Sequence, residues 1–245
     1  VKIGKTQELI SSINRILEKN TRFREEAARE NRSYRESITS ISHDIRTPLT
    51  SAKGYMQMLQ NENVTAKKRL SYARIVERRL DDLAGLLDQL FLYARMEAGE
   101  ESLVMEEVNA GNLFAETLSL FYEDFSERAC EPEIFIEQIP CYIRADRGAL
   151  RRIFENLIKN ALVHGTGAYQ MSLKIQKRNL QEKVVIRVAN ATDSIEQADI
   201  PRIFDRFYTS DTSRSRKRTG LGLAIVKGLA QAMGGEVRAG LEGAL

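Results

Sequence analysis

Two cysteines, two histidines and four prolines are all that 245 residues contain of these types, and each scarcity narrows the chemistry. Cys130 and Cys141 stand with ten residues between them and without the Cys/His company of a zinc site. They therefore imply neither a disulfide framework nor a metal scaffold, and a reducing, cytoplasmic setting fits. Histidine chemistry has only His43 and His164 to draw on. No run approaches the roughly 18 apolar residues of a membrane-spanning helix, and the N-terminus lacks the basic-then-apolar order of a signal peptide. A large excess of one charge is also missing: 37 Lys and Arg against 34 Asp and Glu leave +3, so no nucleic-acid partner is expected. What is present is a hydrophobic share of 42%, enough to build a real core. A chain that opens on Val1 rather than Met is expected to be a piece of a longer protein.

Only Pro48 interrupts residues 1–97, and the apolar positions there fall at helical spacing. Ala27, Tyr34, Ile38, Ile41, Ile45, Ala52 and Leu59 step by threes, fours and sevens, a narrow stripe suited to pairing with another helix. A turn at Asn61 to Thr65 precedes a second helix, which Thr65 can cap and which carries Leu70, Ala73, Val76, Leu80, Leu83, Leu87, Leu90 and Ala94. Two narrow stripes bury poorly in one hairpin, so two chains are expected to combine hairpins into a dimeric four-helix bundle. Residues 1–35, dominated near their end by Arg and Glu, read as an exposed coiled-coil or signalling helix, and 36–98 as the hairpin.

Residues 99–245 change to mixed grammar. Leu103 to Val108, Glu133 to Gln138 and Tyr142 to Ala145 are short strand candidates, Asn109 and Asp146 are candidate helix caps, and Tyr169 to Gln176 and Val184 to Ala189 alternate as neighbouring strands do. Gly220-Leu221-Gly222-Leu223 opens a last helix that ends at Gly234-Gly235. The expected fold is a helical hairpin followed by an α/β sandwich.

If Ile41 and Ile45 face the bundle, His43 between them faces solvent. A neutral imidazole is a nucleophile at physiological pH, and a neighbouring carboxylate such as Asp44 can hold one ring proton while the other nitrogen attacks. Thr47, one turn on, shares that face and could orient a water. Taken alone, such a histidine is more often a solvated surface residue. Asn156 and Asn160 share a helix face and offer amide oxygens, which suit magnesium beside nucleotide phosphates, although paired asparagines on a helix are commonly surface groups. Glycines at a helix start let backbone N–H groups approach phosphate. Arg214, Arg216, Lys217 and Arg218 crowd the preceding loop, either to neutralise a triphosphate or simply as a solvated segment.

The order Ser42-His43-Asp44-Ile45-Arg46-Thr47-Pro48-Leu49-Thr50 resembles the phosphoacceptor box of two-component sensor histidine kinases. Phe154 to Ala161 is similar to the N box of that family, Ile203 to Tyr208 to its F box, and Thr219 to Lys227 to its second glycine box. The resemblance implies His43 as phosphoacceptor, Asp44 as its acid-base neighbour and Thr47 as the position assisting phosphatase activity. It implies ATP and Mg2+ held by Asn156, Asn160, His164, Asn190, Phe207, Tyr208, Arg214, Arg216, Lys217, Arg218, Thr219, Gly220, Leu221, Gly222 and Leu223, with Asn156 and Asn160 as metal ligands. It further implies a homodimer, a response regulator receiver domain as partner, and the cytoplasmic portion of a bacterial protein with a membrane anchor upstream.

Departures accompany the matches. Where the family carries Asp-x-Gly-x-Gly, this chain has Asn190-Ala191-Thr192-Asp193-Ser194, losing the charged adenine acceptor and both glycines. Val163 and Thr209 replace common basic residues, and the loop before Gly220 is short. These changes imply weaker nucleotide binding and keep open a degenerate kinase acting mainly as a phosphatase or scaffold. A third reading is an ATPase of the same fold superfamily, disfavoured because the water-activating glutamate of those enzymes is replaced by Asn156.

Overall fold

A computed structural model of the chain describes residues 15, 19–21, 24, 38–39, 41–61, 64–100, 102–137, 140–178, 181–193, 195–209 and 220–242. Two compact units emerge, Val1–Arg46 and Thr47–Leu245. In the first, every described residue is helical. The stripe positions Ala27 and Tyr34 lie outside the described residues.

Residues 41–59 are helical throughout (α1), Pro48 included, since a proline removes one backbone hydrogen bond without dismantling the turns on either side. In the second unit, α2 runs over Ala66–Glu97, entered from an extended Thr65 whose hydroxyl accepts a long 3.5 Å bond from the Lys68 N–H. Gly99, at φ +68°, ends it in the left-handed conformation that glycine adopts without strain. Tyr55 of α1 meets Tyr72 of α2 in a tilted ring contact with centroids 5.5 Å apart. Ala52, Val76 and Leu92 are buried, whereas Leu70 and Leu80 stay 56% and 50% exposed, so part of the hairpin's apolar stripe is left uncovered among the described residues.

The α/β part begins with β1 (Glu106–Asn109), α3 (Ala110–Ser119) and α4 (Tyr122–Glu127). It continues through β2 (Glu133–Ile136), β3 (Tyr142–Ala145), α5 (Arg147–His164), β4 (Gly167–Arg178) and β5 (Gln181–Ala191). A short 3-10 turn at Ile200–Arg202 and α6 (Gly222–Ala232) complete it. β1 pairs antiparallel with β3, and the larger sheet has the order β2-β4-β5, with β2 parallel and β5 antiparallel to β4. Met171 and Leu173 of β4 are buried, opposite Val188 and Ile186 of β5, and this face meets the helices. Phe114 of α3 and Phe154 of α5 meet edge to face at 4.9 Å, as do Phe125 of α4 and Tyr169 of β4 at 5.5 Å. The expected helical hairpin followed by an α/β sandwich is therefore the architecture found.

The cap expectations also hold: Asn109 accepts the Asn112 N–H at 3.1 Å and Asp146 the Ala149 N–H at 2.8 Å. The expected strand from Leu103 starts only at Glu106, because the Val104 N–H is drawn to the other Asp146 carboxylate oxygen at 2.9 Å. The strand expected over Glu133 to Gln138 stops at Ile136, where the Glu137 side chain accepts the Ile175 N–H instead; Gln138 lies outside the described residues.

Candidate functional site

In the first unit, His43 is displayed on the helix with its side chain 73% exposed. Its Nδ1 stands 3.5 Å from Asp44 Oδ1, while the Asp44 side chain is mostly buried and its second oxygen accepts no hydrogen bond among the described residues. With the carboxylate on the Nδ1 side of the ring, Nε2 lies on the edge turned away from it. Thr47 follows one turn later, at the start of the second unit.

The second site grows from α5. Helical spacing puts Asn156 and Asn160 on one face, both half-buried. The Asn156 amide nitrogen donates to the Arg152 carbonyl at 2.8 Å, which fixes its oxygen outward towards α6. A methyl group added to Gly222 would lie 3.1 Å from that oxygen, so the missing side chain is what lets the two elements meet. Leu221 is fully buried at the entrance of α6, and no side chain among the described residues caps that helix. Its first turn thus offers backbone donors and the positive end of the helix beside a neutral amide oxygen, an arrangement suited to phosphate. Leu223, the next residue in, is half-buried.

Gly220 adopts φ +62°, and a Cβ there would fall 2.5 Å from the Phe207 carbonyl carbon. The Phe207 N–H donates to the Gly220 carbonyl at 3.1 Å, and Phe207 itself is held at φ +58°, a strained value for an aromatic residue. The two ends of the basic loop are thereby fastened to each other. Arg214, Arg216, Lys217, Arg218 and Thr219, the loop's proposed phosphate contacts, lie outside the described residues.

His164 is the last residue of α5, and the following turn is tied to β5 by the Thr166 N–H donating to the Ala191 carbonyl at 2.9 Å. The same carbonyl accepts from the Asn190 amide nitrogen at 3.1 Å, which leaves the Asn190 oxygen as the group on offer. Phe207 and Tyr208 have partners of their own. The Phe207 ring meets Tyr93 of α2, and the Tyr208 hydroxyl donates to Asp199. That bond, with the Glu196 backbone N–H, holds the Asp199 carboxyl below the usual carboxylate range. The aromatic partner on α2 was missed in the sequence, where Tyr93 and Glu97 are simply two half-turned residues off the apolar stripe; their spacing of four was the available signal.

Comparisons with known proteins bear on this geometry. The model of the His Kinase A (phospho-acceptor) domain matches residues 33–99, and that of the histidine kinase-, DNA gyrase B- and HSP90-like ATPases matches residues 145–243. The chain belongs to the two-component sensor histidine kinases. Sensor histidine kinase YcbM of Bacillus subtilis is 27% identical over 234 residues, 94% of this chain and 74% of that protein. Sensor protein kinase WalK of Staphylococcus epidermidis is 28% identical over 213 residues, but the chain spans only 34% of its length. Full-length ShkA, solved in complex with AMPPNP, is 28% identical, with a TM-score of 0.58 over 81% of this chain and 41% of that one. The kinase thus joins a phosphoacceptor-type hairpin to an ATP-binding fold.

Proposed function

We propose that this kinase phosphorylates itself on His43 and passes the phosphoryl group to an aspartate of a response regulator receiver domain. Residues 36–98 act as the dimerisation and phosphotransfer hairpin, 99–245 as the catalytic domain and 1–35 as the incoming signalling helix. The observation that carries the reading is the exposed imidazole with Asp44 at its Nδ1, which leaves Nε2 to attack. Nε2 forms the bond to the γ-phosphorus of ATP as the bond to the β-γ bridging oxygen breaks and ADP leaves. The protein's part is position and charge, since phosphoryl transfer asks for little covalent help.

ATP is held by the first turn of α6, through Gly220, Leu221, Gly222 and Leu223, by the base-binding end of α5 and β5 at His164 and Asn190, and by the basic loop 214–219. Asn156 and Asn160 would hold Mg2+ through their amide oxygens, and bound magnesium offsets charge on the phosphates. The donor set fits, because the hard, neutral Asn156 oxygen stands beside the first turn of α6. Thr47 assists the phosphatase activity, in which water takes the phosphoryl group from the regulator's aspartate and inorganic phosphate leaves. The uncovered apolar stripe supports a homodimer, and the family supports a membrane anchor outside this chain.

Incubation with γ-labelled ATP should give an acid-labile, alkali-stable label that disappears in His43→Gln; a label that persists in the variant overturns the assignment. Asn190, which offers oxygen without charge, favours one second reading, a degenerate kinase serving as phosphatase or scaffold. Calorimetric titration with ADP and magnesium separates them: affinity in the micromolar range rejects the degenerate reading.

A further inference from the structure

The last turn of α2 reaches across to the candidate nucleotide site through four side chains. Leu92 is buried in the core that also holds Leu221 and Ile225 at the start of α6. Tyr93 meets the Phe207 ring edge to face at 6.3 Å. Met96 places its terminal methyl 2.3 Å from where a Cβ on Gly228 would stand, so α6 presents bare backbone to it. Glu97 pairs with Arg206 at 2.7 Å, and the Arg206 guanidinium lies 5.4 Å from the centre of the Tyr93 ring. Burial, with Glu97 beside it, pushes the Tyr93 phenol well above its ordinary range, so the ring is neutral and packs as an apolar plate.

These contacts act on Phe207, the residue that can least afford to lose them. At φ +58° an aromatic residue stays only where its surroundings over-determine it, and here two restraints do so. One is the Tyr93 ring; the other is the hydrogen bond to Gly220, whose own φ of +62° and close approach admit no side chain. Gly220 leads through Leu221 to Gly222, which sits against the Asn156 oxygen. If Tyr93 is removed, Phe207 is free to relax to negative φ, and the Gly220 turn loses its fixed partner.

We propose that Tyr93 and Glu97 are positioning residues for the nucleotide site, acting through Arg206 and Phe207 on the Gly220–Gly222 turn, so that the last turn of α2 and bound nucleotide are coupled. The proposal rests on the reading of that turn as the phosphate site. Coupling is reciprocal: whatever moves α2 against Phe207 changes nucleotide affinity, and bound nucleotide tightens the contact by the same factor. The ring contact dominates, because the Glu97–Arg206 pair is about half exposed on both sides and exposed pairs contribute little.

The test is calorimetric titration of the full 245-residue chain with ADP and magnesium. Tyr93→Ala should weaken binding roughly five- to tenfold, within the ordinary range of coupling between sites. Tyr93→Phe, which keeps the ring, should bind within about twofold of the unaltered chain. Glu97→Arg should weaken binding by about two- to fivefold, and adding Arg206→Glu should restore it. This charge exchange involves half-exposed side chains and carries the test should Tyr93→Ala fail to fold. A merely structural Tyr93 would lower the melting temperature and leave affinity untouched. Folded Tyr93→Ala that binds ADP like the unaltered chain, or a charge exchange without recovery, overturns the proposal. Failure of the unaltered chain to bind ADP overturns the nucleotide-site reading itself.

Discussion

Gly220 and Gly85 are both glycines next to helical structure, yet opposite consequences follow from giving each a methyl group. At Gly220 the backbone is left-handed and the new Cβ would meet Phe207 backbone at 2.5 Å, which no rotamer change can relieve. Gly220→Ala should cost about 1–3 kcal/mol and should also abolish measurable ADP binding, because the turn must open. Gly85 lies exposed inside α2 with nothing within 4 Å of its Cβ direction. Gly85→Ala should therefore stabilise by about 0.5–1 kcal/mol, since glycine gives up more backbone freedom than alanine does on entering a helix. Urea midpoints of the two variants check the contrast, and equal midpoints would contradict the backbone assigned to Gly220. The same scale shows why Asn190 can stand in for an acid: its nitrogen is committed to the Ala191 carbonyl, so the oxygen keeps the acceptor role without the charge.

Asp146 works at the scale of elements, since one carboxylate joins α5 to the segment entering β1. It accepts the Ala149 N–H as a helix cap and the Val104 N–H from 42 residues earlier. These backbone donors, Ala149 first and Val104 next, hold its carboxyl below the usual range against the opposing effect of burial. A carboxyl whose folded pKa is lowered contributes stability that is complete above its unfolded pKa, near 3.8, and lost as pH falls through the folded value. Asp146→Ala should cost about 1–2 kcal/mol at neutral pH, and Asp146→Asn less, because an amide oxygen still caps. The difference between the unaltered chain and Asp146→Asn should shrink between pH 4 and pH 2, read as urea midpoints; a difference that is constant over that interval would remove the charge from the explanation. Elements of this kind were legible in the sequence because a cap residue and an apolar period fall together, as they do at Asn109, Asp146 and the start of α2. The strand ends were not, because Val104 and Ile175 give their N–H groups to side chains remote in sequence. α4 was missed for a related reason: its six residues have no side-chain cap and too short a run for a period to show. Likewise, the local motif around Phe207 reads as a nucleotide box, and only the folded chain reveals that its ring is spent on Tyr93, more than a hundred residues away.

At the scale of the whole molecule, the hairpin remains unfinished. Tyr55 and Tyr72 close part of it, and Ala52 and Val76 are buried, but Leu49, Leu70 and Leu80 keep about half of their surface in water. Covering the exposed half of one such leucine contributes about 1 kcal/mol, so a second hairpin laid against the stripe gains from several side chains at once. Sedimentation equilibrium should accordingly give twice the chain mass at micromolar concentration. Leu80→Glu, placing a charge on the α2 stripe, should shift the chain towards monomer by at least about tenfold in dimer affinity, since desolvating an unpaired carboxylate opposes association. ADP affinity should be unchanged in that variant, because Leu80 stands three helical turns before the Tyr93 contact. A chain that sediments as a monomer at tens of micromolar, with Leu80→Glu indistinguishable from it, would mean that the exposed leucines are covered by something other than a second copy.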